Sequence, residues 1–348
     1  MTRKILVSGL ALAPLAALLR WVVEPGDVTV FVVSAVALVP LAWLIGEATE
    51  QAAEHTGAGI GGFLNASFGN APELIIALFA IGDGLPDVVR GSIAGSIVSN
   101  LLLVLGFALV ATHEEDLDWR SLVSNLGLVV WASLLLLIPS VPGWHGHPDR
   151  HSLAIATVPI AALLLLFYFG QTWDNLRRHR EGHRASHREP SGQSWSLPRA
   201  LAILAAATGL TALVSEILVG TLEGFAHSAG LSRFFVSVVI VAIVGNAAEH
   251  GGAIVIARRG KIRLASEIAV SSAAQVALLV APLAALLSFV VRPPLPLAFR
   301  PVELATIAGS ALFVGAVVWD RKGTRREGLV MLLAYAGVVA GYWFSGNR

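Results

Sequence analysis

"FGNAPELIIALFAIGDG" (residues 68–84) and "VGNAAEHGGAIVIARRG" (residues 244–260) decide how this chain folds. Each carries an asparagine and, three residues on, a glutamate inside an otherwise apolar segment. Asn70 matches Asn246 and Glu73 matches Glu249, both at an offset of 176. The match runs on into the next apolar segment. There "GSIVSN" (95–100) lies beside "VSSAAQ" (270–275), pairing Ser96 with Ser271 and Asn100 with Gln275 at an offset of 175. The one-residue difference is expected in the loop between the two segments. Polar positions repeated in order across two consecutive apolar segments mark an internal duplication.

The composition says what surrounds these segments. Of 348 residues, 55% are hydrophobic and 14% charged, and the mean hydropathy is +0.74. A soluble domain carries about a quarter charged residues, so most of this chain must meet lipid. A net charge of +1, with the basic residues in short loops, gives no sign of a nucleic-acid partner. The absence of cysteine excludes disulfides, thiolate metal sites and thiol catalysis. The opening "MTRKILVSGLALAPLAALLR" (1–20) has the basic start and apolar middle of a signal peptide. It lacks a clear small-residue cleavage site before a soluble domain, so it reads as a first transmembrane helix.

A membrane core takes about 20 apolar residues per helix. Segments of that kind fall near 4–22, 28–46, 61–82, 88–111, 122–141, 151–170, 199–220, 233–257, 264–290, 301–319 and 327–345. The expected fold is therefore all-α and polytopic, with eleven transmembrane helices. Lys and Arg bias orients it. With the N-terminus in the cytoplasm, 17 of the 24 basic residues lie inside and 7 outside, which places the C-terminus outside. The basic stretch 171–198 divides the chain near its midpoint. Its His179, His183 and His187 share one face of a helix at four-residue spacing, so a metal site and a solvated linker both fit, and the linker is the simpler reading. The expected organisation is a leading helix (1–27), a first five-helix repeat (28–170), the cytoplasmic linker (171–198) and a second five-helix repeat (199–348). The spans bearing Glu73 and Glu249 start on opposite sides, so the repeats are inverted, the pattern of an alternating-access transporter.

Glu73 lies about twelve residues into its span, ~18 Å along a helix and near the middle of a ~30 Å hydrocarbon layer. An ionised carboxylate there costs several kcal/mol unless it is paired or bound to a metal. No Lys or Arg lies in the core of any predicted span. Each glutamate then holds a proton, or the pair holds a cation, and a protein that alternates between the two is an exchanger. Gly69, Pro72 and Gly245 weaken the helix beside the glutamates and free carbonyls to face an ion. Ser96, Asn100, Ser271 and Gln275 add neutral oxygens, and Asn70 and Asn246 stand beside the acids. Hard oxygen donors favour calcium, magnesium or manganese. Helix packing also accounts for a single Ser or Asn, whereas it gives no reason for Glu73 or Glu249.

Taken with "LNASFGNAPELIIALFA", "GSIVSNLLLVLG", "VGNAAEH" and "GEATE", these residues resemble the α-repeats of the calcium/cation antiporter superfamily, and within it the calcium/proton exchanger (CAX) family. The resemblance covers nearly the whole chain. It implies that Glu73 and Glu249 bind calcium near the midplane and take protons when calcium leaves, with Asn70 and Asn246 beside them and Ser96, Asn100, Ser271 and Gln275 as further donors. Amides at Asn100 and Gln275 fit the proton branch, since sodium/calcium exchangers commonly carry a further acid there. His250, typical of the proton-coupled family, either tunes Glu249 and relays protons or is an ordinary buried imidazole. The segment between the halves is basic here, where eukaryotic members often have an acidic one, so acidic-helix regulation does not carry over. The short termini suit a multi-pass protein of a prokaryotic cell membrane.

The expected activity is secondary antiport, calcium leaving the cytoplasm against protons. Its partners are Ca2+, H+ and the bilayer, with no cofactor beyond the transported ion and homo-oligomerisation left open. Sodium coupling, another divalent ion or a cation channel are the rival readings. No Walker motif, His-Glu-x-x-His or serine–histidine arrangement lies within the spans, so no enzyme is expected. Glu47, Glu50, Glu216 and Glu223 sit near helix ends. Glu47 and Glu223 also differ by 176, which suggests one acid at each entrance, gathering cations or passing protons, or simply solvated helix ends.

Overall fold

The computed structural model describes residues 2–112, 115–144, 149–182 and 195–346, and they are almost wholly helical. The chain opens with α1 (Thr2–Gly9) and α2 (Leu12–Leu18), which runs into a π-helical turn at Leu19–Val23. Then come α3 (Asp27–Gly69), α4 (Ala71–Gly82), α5 (Pro86–Val98), a π-helical segment at Ser99–Val104, and α6 (Leu105–Val110). α7 (Trp119–Trp144) and α8 (Arg150–Gly182) complete the first half. The second half holds α9 (Leu197–Ser228), α10 (Arg233–Phe235), α11 (Ala242–Gly245), α12 (Ala247–Arg258), α13 (Ile262–Gln275), α14 (Ala281–Val291), α15 (Pro301–Val317) and α16 (Arg325–Gly346). π-Helical segments at Val236–Val241 and Val276–Val280 join α10 to α11 and α13 to α14. Two short strands, β1 (Glu115–Asp116) and β2 (Lys322–Gly323), pair antiparallel and link a loop of the first half to one of the second.

Among the described residues, eight helical stretches are long and apolar enough to cross a membrane, and the bent pair Arg233–Gly245 and Ala247–Arg258 makes a ninth. Two shorter apolar helices, Ala71–Gly82 and Pro301–Val317, fall within two further segments expected from the sequence, 61–82 and 301–319. Large apolar side chains such as Val290, Leu333 and Phe344 stand exposed on the outer surface of this bundle, as a lipid-facing wall requires. The expected boundary at 171 is not a structural one: α8 continues through it to Gly182. His179 falls within that helix, whereas His183 and His187 lie outside the described residues.

α3 and α9 run antiparallel along one another. Phe31 stacks on Phe225 at 4.2 Å between ring centroids, and at the other end the Gln51 side chain accepts from the Trp195 backbone. Phe68 packs with Ile45 and Ala48 against Leu204 and Ala207. In a straight helix Phe68 would lie about 35 Å from Ile45, so α3 turns back on itself between Ala48 and Phe68. That turn returns the chain to the bundle and lets α4 continue into it.

The duplication is visible in the elements. α4 and α12 are both 12 residues long. The loops that follow are also equal, Asp83–Leu85 and Arg259–Lys261, each with a left-handed glycine, Gly84 at φ +71° and Gly260 at φ +72°. The one-residue slip expected in this loop is therefore absent. The offset of 176 holds from Ala71 and Ala247 through Pro86 and Ile262. It persists to the π-turns, where Leu105 N–H donates to Asn100 O and Ala281 N–H to Val276 O. Ser96 is thus equivalent to Ser272, because a shift of one residue turns a side chain about 100° around the helix.

Candidate functional site

The site is built on two matching helix breaks. α3 ends at Gly69 and α11 at Gly245, and the asparagine that follows adopts the same conformation in each, φ −98° and ψ 15° at Asn70, φ −92° and ψ 10° at Asn246. Pro72 lacks the N–H that would continue α3 through the first break, and the second bends its span by 56°. α4 and α12 then begin afresh, which puts Glu73 and Glu249 in their first turns. There the unpaired N–H groups favour a carboxylate's charge.

Each break receives the other repeat's glutamate. A Cβ on Gly69 would lie 3.8 Å from Glu249 Oε1, and one on Gly245 would lie 3.5 Å from Glu73 Cγ. The two carboxylates are near enough for their charges to oppose each other. Amides stitch the repeats together around them. Asn70 Nδ2 donates to Gln275 Oε1 at 2.8 Å. Asn246 Nδ2 donates to Ser96 Oγ at 2.7 Å and to Ala242 O at 3.0 Å. Asn100 Nδ2 donates to Asn246 Oδ1 at 3.2 Å and Ser272 Oγ at 3.0 Å, and Ser272 in turn donates to Glu249 Oε2.

Among the described residues, both carboxylate oxygens of Glu73 and Oδ1 of Asn100 are buried without a hydrogen-bond partner. Such an orphaned acceptor costs ~1–3 kcal/mol. Three oxygens in that state, opposite a second carboxylate, suit a bound cation or, at the carboxylates, a proton. A cavity of about 10 Å³, room for a single water-sized body, is lined by Glu73, Ser92, Ser96 and Gly245. A much larger one, about 480 Å³, opens beside α7, α8 and α13 and reaches Gln275, the partner of Asn70. Among the described residues no three His, Cys, Asp or Glu side chains gather into a metal cluster, so any cation here rests on two carboxylates and neutral oxygens.

Of the residues singled out in the sequence, Asn70, Glu73, Ser96, Asn100, Asn246, Glu249 and Gln275 meet in this network. Ser271 does not join it: its hydroxyl donates to Ile268 O and it lines the larger cavity. Ser272 takes the place beside Glu249. The separation of 23 residues that Ser96 keeps from Glu73 is the one Ser272 keeps from Glu249, a signal that matching residue types had obscured. His250 is buried, and its Nε2 has no hydrogen-bond partner among the described residues. The other acids stand away from the pair. Glu50 and Glu216 are exposed, Glu47 is half-buried, and Glu223 is exposed and meets Arg233 at 3.4 Å. Glu47 and Glu223 lie toward opposite ends of the α3–α9 pair.

Known proteins share this arrangement of the whole chain. The sodium/calcium exchanger protein family matches residues 27–173 and 199–344, one block in each half. The chain is 35% identical to the Ca2+/H+ antiporter ChaA of Bacillus subtilis (strain 168), over 97% of each protein. It is 33% identical to a Ca2+/H+ antiporter of Synechocystis sp. (strain ATCC 27184 / PCC 6803 / Kazusa), covering 98% of this chain and 97% of that one. Among solved structures, native YfkE superposes with a TM-score of 0.83 at 32% identity, covering 99% of this chain and 100% of that one.

Proposed function

The chain belongs to the sodium/calcium exchanger protein family, among its calcium/proton exchangers, and from that premise we propose that it exports Ca2+ from the cytoplasm in exchange for H+. It is a multi-pass membrane protein. We count eleven crossings, a leading helix and two inverted sets of five, with the N-terminus in the cytoplasm of a bacterial cell and the C-terminus outside. That orientation rests on the Lys and Arg bias. It makes the 480 Å³ cavity a cytoplasmic vestibule, since the starts of α7 and α13 and the end of α8 then face inward.

Calcium enters through the vestibule and binds between Glu73 and Glu249. Asn70, Asn246, Ser96, Ser272, Asn100 and Gln275 hold the carboxylates in place and offer oxygens around the ion. Two carboxylates balance one divalent ion or two protons, so the site is neutral in either loaded form and charged when empty. A charged site near the midplane is the costly one to carry across. The exchange is coupled for that reason: the protein changes sides loaded with calcium or with protons, and alternating access follows from the inverted repeat. The vestibule reaches Gln275 from within, while the cavity over Glu73 on the far side holds about 10 Å³. This is an inward-open form.

The observation that carries the reading is Glu73, with both oxygens buried and unbonded opposite Glu249. The experiment is calcium-triggered proton movement in sodium-free proteoliposomes, comparing the natural protein with Glu73→Gln and Glu249→Gln. Coupled flux that each substitution abolishes supports the exchanger and its central pair. Calcium entry without protons moves the assignment to sodium coupling or a channel.

A further inference from the structure

The two inverted repeats are sealed on one side and open on the other, and the residues on the equivalent helix face differ in a telling way. On α5 that face carries Gly91 and Gly95, packed against the π-helical segment Val236–Val241. A Cβ on Gly95 would fall 1.9 Å from Val238 O, and one on Gly91 would fall 2.5 Å from Ser237 Oγ. At an offset of 176 the equivalents on α13 are Glu267 and Ser271, followed one turn on by Gln275, and these line the 480 Å³ vestibule. Where one repeat requires no side chain for closure, the other displays an acid, a hydroxyl and an amide at four-residue spacing. Together they make a line of oxygens ~12 Å long that ends on the amide bonded to Asn70.

We propose that Glu267 heads a second, cytoplasmic Ca2+ site in this vestibule, which captures the hydrated ion before it reaches Glu73 and Glu249. This rests on the reading of the chain as a calcium exchanger. Glu267 is exposed, and the Ser121 hydroxyl leans toward its Oε1 at 3.4 Å. Asp118, which accepts from the Ser121 N–H, also lines the cavity, as does Arg120, so the charged side chains of the lining sum to one negative charge. Deeper in, Tyr168 is buried with its hydroxyl beside Thr172, and it too lines the cavity. A hydrated calcium ion brings positive charge to Glu267 and Asp118, and its water shell suits the hydroxyl and amide groups of Ser271 and Gln275. The cavity has room for the ion with its shell, which the 10 Å³ space over Glu73 does not. Because the other repeat offers glycine at this position, the outer approach has no counterpart of the site. Glu267 therefore raises affinity for calcium on the cytoplasmic side alone.

The test uses the full-length protein. In the Glu73→Gln/Glu249→Gln variant, Tb3+ luminescence excited through tyrosine should report a residual site that Ca2+ displaces. Adding Glu267→Gln should abolish it, and adding Tyr168→Phe should dim it while leaving displacement intact. An identical titration with and without Glu267 overturns the proposal, and neither result depends on proton coupling at the central pair. In the otherwise natural protein, Glu267→Gln should raise the KM for Ca2+ offered at the cytoplasmic face about fivefold, the effect of ~1 kcal/mol of lost attraction. Maximal rate and the outer-face KM should stay within twofold. A loss of maximal rate alone, or equal change at both faces, overturns it.

Discussion

Asn70 and Gln275 come from opposite repeats, 205 positions apart, and their side-chain amides meet at 2.8 Å. Through this bond the floor of the vestibule touches the first helix break. It also sets the charge of the site, because an amide at 275 leaves two carboxylates where an acid would make three. Gln275→Glu keeps an acceptor for Asn70 and adds one negative charge. Calcium should bind at least tenfold tighter, as measured by isothermal titration. Calcium-driven proton flux should fall at least tenfold, since two protons no longer neutralise the site. Unchanged coupling would mean that residue 275 does not set the charge balance.

Asn246 ties the network together, with bonds to Ser96, Asn100 and Ala242. Asn246→Ala removes the donor to the Ser96 hydroxyl and one of the two acceptors of the Asn100 amide. The expected loss is ~1–3 kcal/mol of stability, read as a lower thermal midpoint in detergent. Ca2+ added at saturating concentration should recover only part of it.

Ser272 and Ser271 are neighbours in sequence with different surroundings. Ser272 donates to Glu249, whereas Ser271 bonds its own helix backbone. Ser272→Ala should weaken calcium binding more than tenfold, in line with the ~1.5–3 kcal/mol that a hydrogen bond to a charged group contributes, and Ser271→Ala should change it less than twofold. The reverse order, from matched binding isotherms, would restore the pairing of Ser96 with Ser271 and refute the offset of 176.

Much of this was legible in the sequence, and the limits were physical ones. The GNAxE repeats singled out both glutamates, which the structure brings together, because an acid in lipid needs a reason, whereas an apolar span does not say how its helix turns. The fold-back of α3 depends on Phe68 meeting Leu204 and Ala207, a contact between distant residues that no periodicity encodes. The pairing of Ser96 with Ser271 came from matching serine to serine, whereas helical rotation turns Ser271 toward the larger cavity and Ser272 toward Glu249. Glu267 passed unnoticed for a similar reason. A charge near a helix start reads as a solvated end until the cavity around it is seen.

The seal on α5 yields a further prediction. Gly95→Ala forces a methyl group against Val238 O, at a place where backbone meets backbone. Overpacking of this kind costs ~1–3 kcal/mol or more, and it should push apart α5 and the segment Val236–Val241. Transport should drop more than tenfold with protein still inserted in the membrane, checked by flux assay and size-exclusion profile. Normal transport would mean that the two helices part at this point during the cycle.

The direction of the proton gradient gives the last prediction. In inverted vesicles an acid lumen supplies protons to the face where calcium is released, so calcium accumulates as the lumen is acidified. A protonophore should collapse the accumulation, and reversing the gradient should empty the vesicles. Uptake that survives the protonophore but follows sodium would overturn proton coupling.

The pairing of β1 with β2 has a mechanical meaning. Glu115 sits opposite Gly323 and Asp116 opposite Lys322, so the loop before α7 is tied to the loop before α16. Arg325 adds a bond from its Nε to Thr112 O, and Leu117 N–H one to Arg321 O. Strands in a ladder stand ~4.8 Å apart, and a slide of one residue would break every one of these links. The clasp therefore joins helices of both repeats into one frame at the end of the bundle where α7 and α16 begin. Against that frame α3 and α9 share an interface of their own, with no such strap across it among the described residues. In the exchange proposed above, the moving part is then the α3–α9 pair within a buckled housing, and the two halves of the duplication do not move as halves.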